Sequence, residues 1–181
     1  MSLFDPNFEV HPWPYIIQIS IAGLFMVFIF AAFNLYTQTA LVAALAASAF
    51  VAFTVPQSHA TDARPMLGGY LVGITVGVIF SFMYHSPAVV NAIDSGLPIF
   101  FDKLGFAVSG QSFMALFAFL SFMTAAFTMA ATDTEHAPAI GIAIGLVMNV
   151  WTAMTLVFIL VGIVFLTLSK KLFERWMIDL I

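Results

Sequence analysis

The sequence predicts an all-α fold, a polytopic integral membrane bundle of about five transmembrane helices. Three observations carry that prediction. The chain is 62% hydrophobic and 8% charged with a mean hydropathy of +1.08, whereas a soluble domain carries about 25% charged residues. Its apolar residues fall into long runs close to the ~20 residues needed to cross a bilayer core. The polar residues that interrupt these runs gather into two islands, 55–65 and 132–138.

Composition also excludes several functions. A formal charge of −4 with no basic cluster argues against nucleic acid as a partner. The absence of cysteine removes disulfides, thiolate chemistry and cysteine-based metal sites. The leader is acidic at Asp5 and Glu9, unlike the basic start of a cleaved signal, so the first span is expected to remain as an anchor.

In chain order, residues 1–12 form a polar leader and 13–169 a single transmembrane domain. Trp13 and Tyr15 stand where interfacial aromatics are expected. The first span runs from Tyr15 to Phe33 and the polar turn 34–39 follows. The second, Ala40 to Thr54, is rich in Ala and Ser, so it is expected to be central. The third, Met66 to Met83, carries Gly69, Gly73 and Gly77 on one helical face, the pattern of a close helix–helix contact, with Tyr84 and His85 marking its far interface.

Spans two and three make a hairpin, 40–83. The mixed segment 86–111 is expected to hold an interfacial helix at about 98–108. A second hairpin, 112–168, consists of the span Ser112 to Ala131, the second island, and an apolar run from Ala139 to Leu168 that exceeds one crossing. That run is either tilted or broken near Asn149, whose amide is read as an interhelical hydrogen bond. The tail, 170–181, brings Lys170, Lys171 and Arg175, which place the C-terminus in the cytoplasm. Five crossings then put the N-terminus and both islands toward the outside, in a membrane expected to be the bacterial inner membrane.

The two hairpins echo each other. Phe53-Thr54 and Phe127-Thr128 end Ala-rich helices, and Pro65 and Pro138 open helices with glycines four apart. The echo is either a parallel internal repeat about an axis along the membrane normal or a chance likeness of Ala/Gly-rich helices. Proline suits the first turn of a helix, whose unpaired N–H groups and partial positive charge attract anions. The expected anion site is therefore two convergent helix N-termini at Pro65 and Pro138. Arg64 and His136 would add donors, and Gly68, Gly69 and Gly141 would let a ligand approach the backbone.

At these residues the sequence resembles the HPP family of small membrane proteins, named for a His-Pro-Pro motif. Glu135-His136-Ala137-Pro138-Ala139 answers to that motif, with Ala137 in place of its first proline. Ala47-Ser48-Ala49, Pro56-Gln57-Ser58, Arg64 and Gly68-Gly69 follow the family's order, with Pro65 where the family has Asn. The resemblance spans residues 40 to 168. It implies four transmembrane segments and a carrier or channel for a small inorganic anion, nitrite being the family-derived candidate.

Each residue has a plainer reading beside the functional one. Arg64 is an anion contact or a surface charge paired with Asp62. His136 is a ligand or proton group, or a capping residue that donates to a nearby carbonyl. Ser48 and Ser58 line a pathway or bond within helices and caps. Asp133 and Glu135 are caps or charge partners of Arg64, and with His59 and Asp62 they are candidate proton or charge partners. A metal site from His59, His136, Asp133 and Glu135 matches no zinc spacing, so neither metal nor cofactor is expected. No nucleophile–base pair with an orienting group is visible, which argues against an enzyme. The chain is expected to act as a small-anion transporter in the lipid bilayer, assembled as a dimer or trimer through the Gly69-Gly73-Gly77 face or an aromatic face. The alternative is a membrane anchor or sensor subunit that signals to a partner protein.

Overall fold

A computed structural model describes residues 12–33, 39–94 and 110–180. Its helices are α1 (Pro12–Phe33), α2 (Thr39–Thr54), α3 (Ala63–Tyr84), α4 (Pro87–Asp94), α5 (Gly110–Thr132), α6 (Ala137–Met148) and α7 (Ala153–Phe173), with 3-10 turns at His59–Thr61 and Glu174–Trp176. There is no strand among the described residues. Most of the leader, the turn at 34–38 and the expected interfacial helix at 98–108 lie outside them.

The bundle is apolar nearly all round, as expected of helices that face lipid on one side and protein on the other. Ala63–Tyr84, Gln111–Thr132 and Ala153–Trp176 are each long and apolar enough to cross a membrane. Pro12–Val27, Ala40–Thr54 and Ala137–Met148 are shorter apolar helices. A ring of four helices, α2, α6, α3 and α7, encloses the core, with α5 packed outside α3 and α6 and α1 outside α2. Leu41, Leu45, Tyr70, Ile142, Leu146, Ile159, Ile163 and Leu166 fill the interior. The expected central position of α2 holds.

The glycine face of α3 packs directly on α6. A Cβ at Gly69 would lie 2.9 Å from the His136 Cβ, one at Gly73 would strike the Ala139 carbonyl, and one at Gly77 would lie 2.9 Å from the Ala143 Cα. The matches advance along both helices together, so α3 and α6 run in the same direction with their starts side by side. This is the close contact that the four-residue spacing predicts, but it lies within one chain. The face is filled by α6 and is not free to join a second copy.

The long final run is broken, at Asn149–Thr152. Asn149 caps α6 from within its own helix, donating from Nδ2 to the Gly145 carbonyl at 2.8 Å, rather than bridging helices as expected. Thr152 then starts α7 with a reciprocal capping box to Thr155. The chain reverses there: α6 spans roughly 18 Å from its 12 residues, and α7 returns to the level at which α6 began. Lys170 near its end lies 4.0 Å from Asp62, beside the start of α3.

This reversal corrects the expected sidedness. Segment 177–180 folds back onto the start of α1 and the end of α2. The Gln18 amide donates to the Phe53 carbonyl at 2.7 Å and the Ile178 carbonyl at 2.9 Å, and accepts from the Ile178 N–H at 3.0 Å. The Leu180 N–H donates to the Thr54 carbonyl at 2.7 Å and the Tyr15 hydroxyl to the Leu180 carbonyl. The start of α1, both polar islands and the C-terminal cations therefore share one face, called the basal face below. They are not divided between two sides.

Candidate functional site

Where α2, α3 and α6 meet below the basal face, three polar side chains are buried in an otherwise oily interior: Ser48 and Tyr70 are 0% exposed and His136 is 1% exposed. Local structure delivers each one. Asp133 adopts a left-handed conformation (φ 56°), which an aspartate tolerates, and the Thr134 N–H closes α5 by donating to the Met129 carbonyl at 3.0 Å. The chain then turns inward, and His136 becomes the N-cap of α6 with Pro138 in its first turn. No side-chain cap bond forms there, because the imidazole points into the bundle instead.

Both ring nitrogens find oxygen. Nδ1 lies 2.8 Å from the Ala60 carbonyl, and Nε2 lies 2.8 Å from Ser48 Oγ, which lies 2.8 Å from the Tyr70 hydroxyl. A carbonyl only accepts, so Nδ1 carries the proton of the neutral ring. Nε2 then accepts from Ser48, and Ser48 accepts from Tyr70. The result is a directed chain from Tyr70 through Ser48 and His136 to Ala60.

The charged residues sit apart from this centre, at the basal rim. The Arg64 side chain is 67% exposed, 3.2 Å from Asp133, and donates to the Thr132 carbonyl at 2.9 Å. It is a surface charge, paired with Asp133 rather than Asp62. His59 lies between Asp133 and Asp62, one ring nitrogen 3.2 Å from each. The Asp133 carboxylate, then that of Asp62, raise the His59 imidazole above its ordinary value. Lys170, 4% exposed, lies 3.0 Å from Glu174 and joins the same network through Asp62.

The positive ends of α3 and α6 are thus adjacent, as the two prolines suggest, but carboxylates of the chain itself stand beside them. Asp62 is the N-cap residue of α3, and its carboxylate and that of Asp133 already stand at this rim, where helix dipoles favour negative charge. The glycines do not admit a ligand. A Cβ at Gly68 would lie 2.6 Å from Thr134 Cγ2, Gly69 faces His136 and the Thr134 carbonyl, and Gly141 faces the Ala44 Cβ at 3.4 Å. These glycines serve helix packing. Asp133 is a charge partner of Arg64 rather than a cap, Glu135 is exposed, and Ser58 precedes the first 3-10 turn without a side-chain cap bond.

The metal alternative does not assemble. His136 faces Ser48 and Ala60 while His59 faces the rim carboxylates, and no group of three His, Asp or Glu side chains among the described residues is arranged to hold a metal ion. The Ser48–His136 pair does have the nucleophile–base spacing that the sequence hides, yet it is sealed under Tyr70. The sequence reading marks neither Tyr70 nor Gln18, and takes Lys170 only as one of the cations that set topology. A buried tyrosine amid glycines was the available signal for the first.

The model of the family described as HPP, transmembrane region, matches residues 9–177. The chain is an HPP-family membrane protein. That match covers nearly the whole of it, including the break at Asn149–Thr152 and the rim network. No curated protein and no solved structure matches this HPP protein. His136 is the residue that ties α6 to α2, α3 and the first 3-10 turn at the bundle centre.

Proposed function

We propose that this HPP protein carries a small inorganic anion across the bilayer, with nitrite the leading candidate. The observation that carries the reading is the buried Tyr70–Ser48–His136 chain inside a lipid-facing bundle. Buried polar groups in such a body are costly, and an ionisable one among them is a functional-site candidate. Membership of the HPP family supports a membrane role, and the polar centre holds donors, bonded to one another at rest, that would turn to a desolvated anion on its entry. His136 and Ser48 meet the anion; Arg64, exposed at the rim, concentrates it by charge.

The basal face carries Arg64, Lys170, Lys171 and Arg175, four of the five cations, so we place it, with both ends of the bundle chain, on the cytoplasmic side of the bacterial inner membrane. Copies associate as a dimer or trimer through the aromatic face of α5, where Phe119 and Phe127 are exposed. The test is flux into liposomes by the purified protein. Uptake of nitrite that falls at least about tenfold in His136→Ala, and only a few-fold in Arg64→Ala, supports the reading; these correspond to losing a buried and a solvated contact. No flux of nitrite, nitrate, formate or halide rejects it in favour of a membrane anchor or sensor.

A further inference from the structure

We propose that His136 is a proton-binding site at the bundle centre, and that a proton arriving at Nε2 reverses the hydrogen bond tying α2 to α6. The geometry is built for both protonation states. One nitrogen faces a backbone carbonyl and the other a hydroxyl oxygen, each at 2.8 Å. A hydroxyl can donate or accept. In the neutral ring Ser48 donates to Nε2. Once Nε2 takes a proton it becomes a donor, Ser48 accepts from it, and the Ser48 proton turns to another acceptor, for which a helical serine has the carbonyl four residues back. No oxygen need move for the imidazolium to keep both N–H groups bonded.

The surroundings fit a switchable group rather than a fixed ion pair. The titratable side chain touching His136 is Tyr70, on α3. The first 3-10 turn carries His59, followed by Asp62; α3 carries Arg64, the turn after α5 carries Asp133 and Glu135, and α7 carries Lys170. All but the exposed Glu135 are engaged with one another in the rim network. Among the described residues no carboxylate bonds the imidazole, so a charge created on it is left for a mobile anion to neutralise. This inference rests on the transport reading and deepens it: proton and anion occupy the centre together, so the anion is carried with a proton.

The test is the ¹⁵N spectrum of histidine side chains in lipid bilayers, titrated from about pH 8 to pH 5. His136 is expected to show the Nδ1–H tautomer at the alkaline end and two protonated nitrogens at the acid end. Tyr70→Phe removes the competitor for the Ser48 oxygen, and the midpoint rises by about half a pH unit or more. Ser48→Ala leaves a charged N–H without an acceptor, and the midpoint falls by about one unit or more. Opposite shifts are a signature that a merely structural role does not give. A ring that keeps one proton across the range, or two variants that shift the same way, overturns the proposal. The readout needs no flux: a titrating His136 in a protein that moves no anion leaves the proton site standing and removes only the transport reading.

Discussion

Replacing Gly73 by alanine tests the α3–α6 contact on which the buried centre depends. The added Cβ would strike the Ala139 carbonyl oxygen and stand 3.3 Å from its carbon. Both are backbone atoms, which cannot swing aside as a side chain would. Forcing a methyl group into a packed interface costs roughly 1–3 kcal/mol, while Gly to Ala in a helix interior gains about 1 kcal/mol. Gly23 supplies the control, since nothing lies within 4 Å of a Cβ placed there. Gly23→Ala takes the helical gain without the clash, so the two variants should differ by the clash itself, about 1–3 kcal/mol. Unfolding in mild detergent, followed through the tryptophans, measures the difference. Gly73→Ala as stable as Gly23→Ala would refute the parallel packing of α3 on α6.

Two further outcomes follow from polar contacts at the basal face. His59, held charged by Asp133 and then Asp62, should titrate above its ordinary value in a histidine spectrum, and Asp133→Asn should bring it back toward that value. Because its folded value is the raised one, the stability it adds is complete below about pH 6.5 and is lost as pH rises through the folded value; added salt should shrink the effect at this exposed site. Gln18→Leu removes three hydrogen bonds and leaves the Phe53 and Ile178 carbonyls unpaired, at a cost of about 1–3 kcal/mol. It should also speed proteolysis of the 177–180 segment, and unchanged cleavage would show that the side chain does not hold the tail.

Much of the fold was legible because membrane helices advertise themselves locally. Gly69, Gly73 and Gly77 state a close contact through their spacing, and Pro65 and Pro138 state two helix starts. The partner of the glycine face was not legible: a four-residue repeat says that something packs there, and it reads the same for a second copy as for α6. The same limit hid the site. Ser48 and His136 lie 88 positions apart in sequence, and nothing in either neighbourhood names the other. Arg64 has Asp62, Asp133 and Glu135 as candidate partners in the sequence, and the choice of Asp133 is made only when α3 and α6 start side by side. The break after Met148 was visible as excess length and as Asn149. Length alone does not say whether a chain continues or doubles back, and that choice decided which ends share a face.

The hook between Gln18 and Ile178 has a consequence for biogenesis. The amide of Gln18 belongs to α1, yet two of its three partner atoms belong to residue 178. Until residue 178 has been synthesised, that helix holds a partly unsatisfied polar group. Closure of the bundle is accordingly an event in which α1 and the distant 177–180 segment find each other, and a ribosome stalled before residue 177 would leave α1 loosely attached, open to capture by membrane quality control.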